Sequence, residues 1–297
     1  IYGRGASDMK GSDCAMVMAA GRFAAQTKKN FAGTICVSGT VHEECFEGVA
    51  PREVTKRVKP DFVIVGEATS TSIKIGQRGR AEVVVETEGV SCHSSNPEKG
   101  VNAVYGMMAV IEEIRKIVPN EHPLLGRGIL ELTDIVSAPY PGASVVPAAC
   151  RATFDRRTLV GEDEAVILGQ VEEAIARAQE KHPEIKARCY LATGTEACWT
   201  GDTISAKRYF PAWVVDENSE LVVKARRGLE AAGIDAPLSH FSFCTNGSHF
   251  CGEAGIPTIG YGPSLESLAH VRDEYIEISQ LTKACRGFAS ILAELTR

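Results

Sequence analysis

Four segments of the sequence carry acidic or imidazole side chains directly after a stretch that could end a strand or a glycine-rich turn. Asp8 follows the string GRGAS, and the adjacent pair Glu43 and Glu44 follows an alternating, β-rich stretch. Glu67 follows the apolar string DFVIVG, and His270 follows the loop after another apolar stretch. Because ligands of open α/β sheets bind at the carboxyl ends of the strands, these five side chains are candidates for one shared site.

Carboxylates together with one imidazole form a donor set that suits zinc, manganese or cobalt. Side chains of neighbouring residues diverge on an extended backbone, so one of Glu43 and Glu44 could bind a metal while the other acts as a general base. A bound divalent metal lowers the pKa of a water molecule to about 7 and polarises a carbonyl oxygen. The chemistry that these residues indicate is metal-assisted hydrolysis near neutral pH.

Each residue also has an ordinary structural interpretation, and Asp8 could simply cap the helix that follows it, because Asp is a favoured N-cap residue. Glu43 and Glu44 could be a solvated pair of charges. Glu67 could be a loop carboxylate, and His270 a surface or packed histidine. A phosphate-binding interpretation of GRGASDMKG is disfavoured because the string matches neither the P-loop spacing nor the dinucleotide pattern. The metal hypothesis depends on the coincidence of the five residues, not on any one of them.

The elements that would position these residues follow an α/β pattern. Residues 9–28 carry apolar side chains at helical spacing, which places Asp8 at the N-terminal end of a helix. Residues 33–41 alternate and are β-rich, residues 49–58 can form a helix, and residues 61–66 are a short apolar run. Strand, helix and strand in this order predict a βαβ unit and a mostly parallel sheet flanked by helices.

The pattern changes near residue 79, where the next elements are predicted in the order βαββαβ. This is the split-βαβ arrangement of a small two-layer α+β domain. Residues 194–216 lack a clean period and are expected to form a linker back to the first domain. The predicted strands cover residues 81–87, 128–136, 144–154 and 185–191, and the predicted helices cover residues 101–118 and 162–181.

The C-terminal part returns to the α/β pattern, with a helix predicted at 219–232, a strand at 258–262 and a closing helix. We therefore expect an α/β fold in which one domain is inserted into another. The metal-binding domain would comprise residues 1–78 and 195–297, and the inserted α+β domain would comprise residues 79–194.

The chain has 297 residues, of which 44% are hydrophobic and 24% charged. These proportions are typical of globular proteins and exclude a disordered, collagen-like or coiled-coil chain. The net charge of -6 disfavours nucleic acid as a partner. No apolar run reaches the roughly 18 residues of a spanning helix, and the ten cysteines include no CxxC pair. We expect a cytoplasmic protein with reduced, mostly buried cysteines and no membrane partner.

Six motifs occur in order along nearly the whole chain. They are GRGASDMKG (3–11), HEECFEG (42–48), VGEAT (65–69), GVSCHSSNPEKGVNAV (89–104), SVVPAACRATFDRR (144–157) and GIPTIGYGPSLESLAHVRDEYI (255–276). This order resembles the dinuclear zinc aminoacylase and carboxypeptidase family, which includes acetylornithine deacetylase, succinyl-diaminopimelate desuccinylase and glutamate carboxypeptidases. The strings TNG (245–247) and YFPAW (209–213) look most like a bacterial branch of hydrolases linked to selenium metabolism.

The resemblance implies a catalytic domain with an inserted lid or dimerisation domain. It also implies a cofactor of two divalent metal ions, with zinc as the first choice and cobalt or manganese as alternatives. Asp8 would bridge the two ions. Glu44 and His270 would complete the site of one ion, and Glu67 would serve the other. Glu43 would be the general base.

The resemblance assigns further roles to residues outside this group. His93 matches a family histidine that reaches across a homodimer interface and stabilises the tetrahedral oxyanion in the partner's active site. Arg157 matches a family arginine whose guanidinium fork could bind a substrate carboxylate, with a structural salt bridge to Asp155 as the equal alternative. Ser144 and Asn246 are the remaining substrate-binding candidates, although the position of Ser144 is usually Asn in the family.

One part of the family pattern is not found in this sequence. Family members carry a His-x-Asp motif on an earlier strand, and its histidine binds the metal that Glu67 serves. No histidine here has an Asp two residues later. We therefore expect a preceding segment to supply the motif, since without it one metal site is well provided and the other is deficient.

These observations predict a metal-dependent hydrolase that cleaves the C–N amide bond of an N-acyl amino acid or a small peptide-like substrate. Two alternatives remain open. The chain could be a non-catalytic binding or assembly protein with an incomplete dinuclear site, or an N-carbamoyl amino acid amidohydrolase. The expected partners are a small substrate and a second copy of the chain.

Overall fold

The computed structural model describes residues 1–297, and the chain divides into two compact units. The split unit comprises Ile1–Arg78 and Ala212–Arg297, and the inserted unit comprises Gly79–Pro211. The α/β fold class expected from the sequence is confirmed. The second boundary falls after residue 211 rather than after 194, because residues 209–210 form a strand within the sheet of the inserted unit.

The helices are α1 (Lys10–Gln26), α2 (Pro51–Val58), α3 (Ala103–Ile114), α4 (Glu164–Lys181), α5 (Glu220–Ala231) and α6 (Ile278–Leu295). The strands are β1 (Val63–Val65), β2 (Ile73–Gln77), β3 (Gly79–Glu88), β4 (Glu121–His122), β5 (Gly126–Arg127), β6 (Ile129–Ala138), β7 (Ala149–Thr158), β8 (Lys186–Leu191), β9 (Thr193–Ala197), β10 (Thr203–Lys207), β11 (Tyr209–Phe210), β12 (Trp213–Val214), β13 (Leu238–Phe241) and β14 (Thr258–Gly260). Short 3-10 turns cover Pro97–Lys99 and Glu266–Leu268, and one π-helical turn covers Ser248–Glu253.

The sheet of the split unit has the strand order β1-β14-β2-β12, and β13 also pairs with β2. The pairs β1–β14 and β13–β2 are parallel. The pairs β14–β2 and β12–β2 are antiparallel. The sheet is therefore mixed, and the expectation of a mostly parallel sheet was wrong. Apolar character alone did not distinguish the two directions, because a strand buried on both faces is apolar in either direction.

Residues 33–41 do not form the strand that their alternation predicts. A strand is stable only where a neighbour satisfies its backbone N–H and C=O groups, and no strand of the structure pairs with this segment. Val37 and Val41 are accordingly 42% and 52% exposed. The predicted βαβ unit is therefore incomplete, although its helix, α2, and its second strand, β1, are both present.

Helices α1, α5 and α6 pack together in the split unit, with α6 in contact with both others. The α1 face that packs inward carries small residues, Ser12, Ala15 and Ala19, followed by Phe23. The spacing of three and four residues is that of one helical face. The predicted helix is present, but Val17 and Met18 are 56% and 63% exposed. The larger apolar residues that predicted the helix therefore do not form its buried face. This packing fixes the start of α1, which directly follows Asp8.

The main elements of the inserted unit follow the order β3, α3, β6, β7, α4 and β8, with the small hairpin β4–β5 between α3 and β6. Its sheet has the order β11-β3-β7-β6, with β8 also paired to β3, and all pairs are antiparallel. Val83 and Val85 of β3 belong to a buried core with residues of α3 and α4. Glu82 and Glu86 lie on the opposite face of the strand and are less buried, although Val84 between them on that face is fully buried. The alternation of the sequence thus separates a helix-covered face from a more polar face.

The stretch 194–216 is not a linker. It contains the antiparallel hairpin β9–β10, in which Thr193 pairs with Lys207 and Ala197 pairs with Thr203, and then β11 and β12. Most residues of both hairpin strands are at least partly exposed. Polar residues therefore occur on both faces of the hairpin. The alternation of apolar and polar residues that normally identifies a strand in a sequence is missing.

All ten cysteines are free thiols, but only Cys150 and Cys244 are buried, so the expectation of mostly buried cysteines was wrong. None of the α-helices has both the length and the apolar character that crossing a membrane requires.

Candidate metal centre

Asp8 lies at the entrance to α1 without capping it. The N-cap of α1 is Met9, and no side chain caps this helix end. The backbone of Asp8 is instead held by Glu274, whose Oε1 accepts hydrogen bonds from the N–H groups of Ser7 at 2.8 Å and of Asp8 at 3.0 Å. Arg4 donates to Oε2 of the same carboxylate at 2.8 Å. The structural alternative for Asp8, a helix cap, is therefore not what the structure shows.

Asp8, Glu44 and His270 form a compact group of metal-ligand types. His270 Nε2 lies 3.1 Å from Asp8 Oδ2 and 3.0 Å from Glu44 Oε2. The three donor atoms all lie within 4.8 Å of one another. The hydrogen bond to Glu44 and the charges of Glu44 and Asp8 raise the pKa of His270, although partial burial opposes them. Burial and the charge of Glu44 raise the pKa of Asp8.

Glu67 follows β1 and is 5% exposed. Burial raises the pKa of Glu67 to about 8, and the charges of Asp8, Glu44 and Asp13 act in the same direction. Glu67 lines the same cavity as Asp8 and Glu44. The structure thus brings the C-terminal end of β1 close to the start of α1 in the split unit.

Glu43 and Glu44 have different environments although they are neighbours. The Glu44 side chain is 58% exposed, whereas Oε1 of Glu43 is buried and has no hydrogen-bond partner in the protein. Burial raises the pKa of Glu43 well above its usual value, and the charges of Glu67 and Glu47 add to this effect. The interpretation of Glu43 and Glu44 as a solvated pair therefore does not fit Glu43.

The residues present fit a divalent cation. Burial and mutual repulsion raise the pKa values of Asp8, Glu43 and Glu67. A bound dication would offset this repulsion between the carboxylates. The oxygen and nitrogen donors of the residues present match zinc, cobalt or manganese. The four carboxylates of Asp8, Glu43, Glu44 and Glu67 line a cavity of about 1080 Å³ within the split unit, which offers room for a small ligand.

Asn246 contributes to the same region through the loop that carries Glu43. Its Oδ1 accepts a hydrogen bond from the N–H of Gly48, and its Nδ2 donates to Oγ1 of Thr40, both at 2.9 Å. The structure thus places Asn246 on the cavity wall and engages both ends of its amide with the loop.

His93 and Ser144 lie together in the inserted unit. His93 forms an isolated antiparallel bridge with Val145, and the N–H of Ser94 donates to the carbonyl of Ser144 at 3.0 Å. The N–H of Ser95 donates to Nδ1 of His93 at 3.1 Å. Because Nδ1 is an acceptor in this contact, the proton of the neutral imidazole is on Nε2, where it can be donated.

Arg157 lies elsewhere in the inserted unit. It is near the C-terminal end of β7, whereas Ser144 precedes the strand, so eight strand residues at about 3.3 Å each separate the two ends. Arg157 Nε donates to Oδ1 of Asp155 at 2.8 Å. The salt bridge considered as the alternative for Arg157 is therefore formed.

Sequence reasoning missed Glu274. It is 2% exposed and fixes the backbone of Asp8, yet its one signal in the sequence is its place four residues after His270 in the string HVRDEY. A buried acid is recognised only when its partners are known, and these partners are about 270 positions away.

Comparisons with known proteins cover nearly the whole chain. Residues 1–294 match the model of Peptidase family M20/M25/M40. The uncharacterized protein YgeY of Escherichia coli strain K12 is 31% identical over 296 residues, which are 98% of this chain and 72% of YgeY. Succinyl-diaminopimelate desuccinylase of Rickettsia massiliae strain Mtu5 is 28% identical over 306 residues, covering 99% of this chain and 75% of the relative.

Solved structures with the same fold include two peptidases. Aminopeptidase PepT from Bacillus cereus ATCC 10987 superposes with a TM-score of 0.71 at 18% identity, covering 95% of this chain and 70% of PepT. The M20 family metallo-carboxypeptidase Sso-CP2 from Sulfolobus solfataricus superposes with a TM-score of 0.67 at 16% identity, covering 98% of this chain and 77% of that protein. At these identities the likeness establishes the fold.

Proposed function

The chain belongs to Peptidase family M20/M25/M40, and from this premise we propose that it hydrolyses the C–N amide bond of an N-acyl amino acid or a small peptide with the help of bound divalent metal. Membership confirms the family expected from the six motifs and makes the chain a hydrolase. A relative named as a desuccinylase and a fold neighbour named as an aminopeptidase support an amide substrate.

The observation that carries the proposal is the group of Asp8 Oδ2, Glu44 Oε2 and His270 Nε2 within 4.8 Å of one another. We assign these three residues to one metal ion. Glu67, which is buried and lines the same cavity as Asp8 and Glu44, would hold a second ion together with Asp8. The donor set is suited to zinc, with cobalt or manganese as alternatives.

When bound, the metal supplies Lewis acidity, which lowers the pKa of a water molecule and polarises the substrate carbonyl. Glu43 accepts the proton of the attacking water at its carboxylate and returns it to the leaving nitrogen. Burial and the charge of Glu67 raise the pKa of Glu43, which favours its taking up a proton. Its burial also keeps bulk water away from the carboxylate that performs the transfer.

Residues of the inserted unit would bind and stabilise the substrate. The free Nε2–H of His93 is a donor of the kind that a developing oxyanion requires. Arg157 is proposed only as a secondary carboxylate contact, since its guanidinium already pairs with Asp155. Ser144 is proposed to act through its turn, which braces the His93 segment.

We further propose that two copies associate through the inserted unit. β6 is an edge strand of its sheet, and Ile129, Ile135 and Val136 on it are 40–46% exposed. An edge strand with exposed apolar side chains is a ready surface for pairing with another chain.

The proposed function is tested by elemental analysis of protein purified without chelator, together with a cleavage screen on N-acetyl and N-succinyl amino acids and dipeptides. We expect bound zinc, cobalt or manganese and release of a free amine from at least one substrate class. His270→Ala serves as the matched variant, and it should lose metal and activity together. A metal-free wild-type protein that remains inactive after metal is added would contradict the proposal.

A further inference from the structure

One side chain ties together the two ends of the loop that carries Glu43 and Glu44. Thr40 lies three residues before Glu43, and Gly48 lies four residues after Glu44. Asn246 Nδ2 donates to Oγ1 of Thr40, and Asn246 Oδ1 accepts from the N–H of Gly48. Both contacts are 2.9 Å long, so the amide closes the loop like a clamp.

The base of this clamp is fixed to the sheet of the split unit. Gln77 of β2 is fully buried, and its Oε1 accepts from the N–H of Thr245 at 3.2 Å and from its Oγ1 at 2.6 Å. Thr245 Oγ1 in turn accepts from the N–H of Gly247 at 3.0 Å. A Cβ at Gly247 would lie 2.5 Å from Nε1 of Trp213, so the backbone here packs directly against the indole ring and leaves no room for a side chain. Asn246 therefore projects from a rigid support.

The next turn of the same segment holds the far side of the loop. A Cβ at Gly48 would lie 2.8 Å from Cβ of His249, so loop and segment are in direct backbone contact. His249 Nε2 lies 3.0 Å from Oγ1 of Thr55, and Nδ1 lies 2.7 Å from Oε2 of Glu253. Thr55 belongs to α2, which follows the loop. The segment 245–253 thus holds both the loop and the helix after it.

The Glu43 carboxylate needs this support. Its Oε1 is buried and receives no hydrogen bond from the protein, so no donor to that oxygen orients the carboxyl group. Its position then depends on the backbone that carries it, and misplacement of a reacting group by about 1 Å can lower a rate about 100-fold.

We propose that Asn246 is a positioning residue that fixes the Glu43 loop in the geometry required for proton transfer, a role that rests on the proposed function and replaces direct substrate binding for this side chain. Both functional ends of the amide are engaged with Thr40 and Gly48, so its effect on turnover passes through the loop. The same geometry assigns Thr40 a smaller part in the same task.

The test compares Asn246→Ala, Thr40→Val and Thr40→Ser in the metal-loaded protein. Asn246→Ala should lower kcat about 10- to 100-fold while KM changes less than about twofold. Thr40→Val removes only the acceptor and should lower kcat by a smaller factor, and Thr40→Ser, which keeps the hydroxyl, should restore it. The double variant Thr40→Val/Asn246→Ala should have the same kcat as Asn246→Ala alone, because both substitutions remove the same hydrogen bond. Asn218→Ala, at an exposed position, is the control.

A second readout does not depend on activity. Hydrogen exchange at the Gly48 amide of the metal-free protein should accelerate in Asn246→Ala and stay unchanged in Asn218→Ala, because the Gly48 N–H donates to Asn246. Elemental analysis should find the same metal content in all variants. Unchanged exchange at Gly48, or a raised KM with unchanged kcat in Asn246→Ala, would overturn the positioning role. An inactive wild-type protein would instead overturn the proposed function, and with it the catalytic role of Asn246. The exchange measurement would still show whether Asn246 holds the Glu43 loop.

Discussion

Glu274 Oε1 accepts the backbone N–H of Asp8 at 3.0 Å, and the same oxygen also accepts the N–H of Ser7. One buried carboxylate therefore sets the backbone position of the residue proposed to bridge two metal ions. Hydrogen bonds from the Asp8, Gly5 and Ser7 amides lower the pKa of Glu274 against the effect of burial. The arrangement is that of an outer residue orienting a metal ligand.

Glu274→Ala should weaken metal binding about 10- to 100-fold, because it leaves two amides unpaired and frees Asp8 to move. Competition with a chelating indicator measures this change. Glu274→Gln retains an acceptor oxygen and should lose less affinity. Asp273→Ala, one residue away and exposed, should bind metal like the wild type. Equal affinity of Glu274→Ala and wild type would show that Glu274 serves stability alone.

Substitutions of the two neighbouring glutamates should have different effects on metal binding and turnover. Glu43→Gln should lower kcat by about 10²- to 10⁴-fold, the usual contribution of a general base, with metal content unchanged. Glu44→Gln should lose metal and activity together, since Glu44 contributes one donor to the Asp8–His270 group. Elemental analysis alongside kinetics distinguishes the two. Loss of metal in Glu43→Gln with retention in Glu44→Gln would reverse the assignment.

The proposed action of His93 across a dimer can be tested by mixing subunits. His93→Ala and Glu43→Gln homodimers should each be inactive, while random re-association gives hybrids with one intact site and about a quarter of the wild-type activity. Metal content should be normal in both parents. A mixture that stays inactive although hybrids form would place His93 outside the partner's reaction.

Stability of the split unit should depend on pH through Glu253. Burial raises the pKa of this carboxyl, but hydrogen bonds from His249 and Arg52 outweigh it and lower the pKa to about 2 from 4.5. Because the pKa of Glu253 is lower in the folded than in the unfolded chain, its ionised carboxylate adds to the free energy of unfolding above pH 4.5. This added stability is lost as the pH falls from 4.5 towards 2. Because Arg52 is 40% exposed, solvent weakens its interaction with Glu253. We therefore expect Glu253 to contribute about 1–2 kcal/mol to stability, less than the full pKa shift would give.

Glu253→Gln should therefore lower the free energy of unfolding by about 1–2 kcal/mol at pH 7, with a difference that shrinks towards zero near pH 2. Urea unfolding of both proteins across this range provides the measurement. A difference that stays constant down to pH 2 would exclude the ion pair as its cause.

Elements with a strong period were predictable because burial on one face dictates the pattern. Helix α3, which buries Met107 and Ile114, and the strand that carries Val83 and Val85 are such cases. Residues 33–41 show an equally clear alternation but form no ladder, because strand formation depends on a partner that the local sequence cannot reveal. The hairpin β9–β10 escaped prediction for the opposite reason, since its exposed strands have little apolar contrast.

The candidate site shows the same division. Residue type singled out Asp8, Glu43, Glu44, Glu67 and His270. Asp8 does precede a helix and Glu67 does follow a strand, but the strand expected before Glu43 and Glu44 does not form. The structure groups Asp8, Glu44 and His270, and Glu43 and Glu67 line one cavity with Asp8 and Glu44.

The supporting contacts of the site could not be predicted in this way. Glu274 and the pairing of Asn246 with Thr40 join positions about 200 or more residues apart. Contacts of this kind carry no period or spacing signal, and only the folded chain reveals them.

The central claim is that Asp8, Glu44 and His270 together bind a divalent metal. Calorimetric titration of zinc into chelator-treated protein, compared with His270→Ala, measures this most directly. We predict a saturable isotherm for the wild type and loss of at least one binding event in His270→Ala, because the variant removes the only imidazole of the group. Identical isotherms for the two proteins, or no binding by the wild type, would contradict the claim.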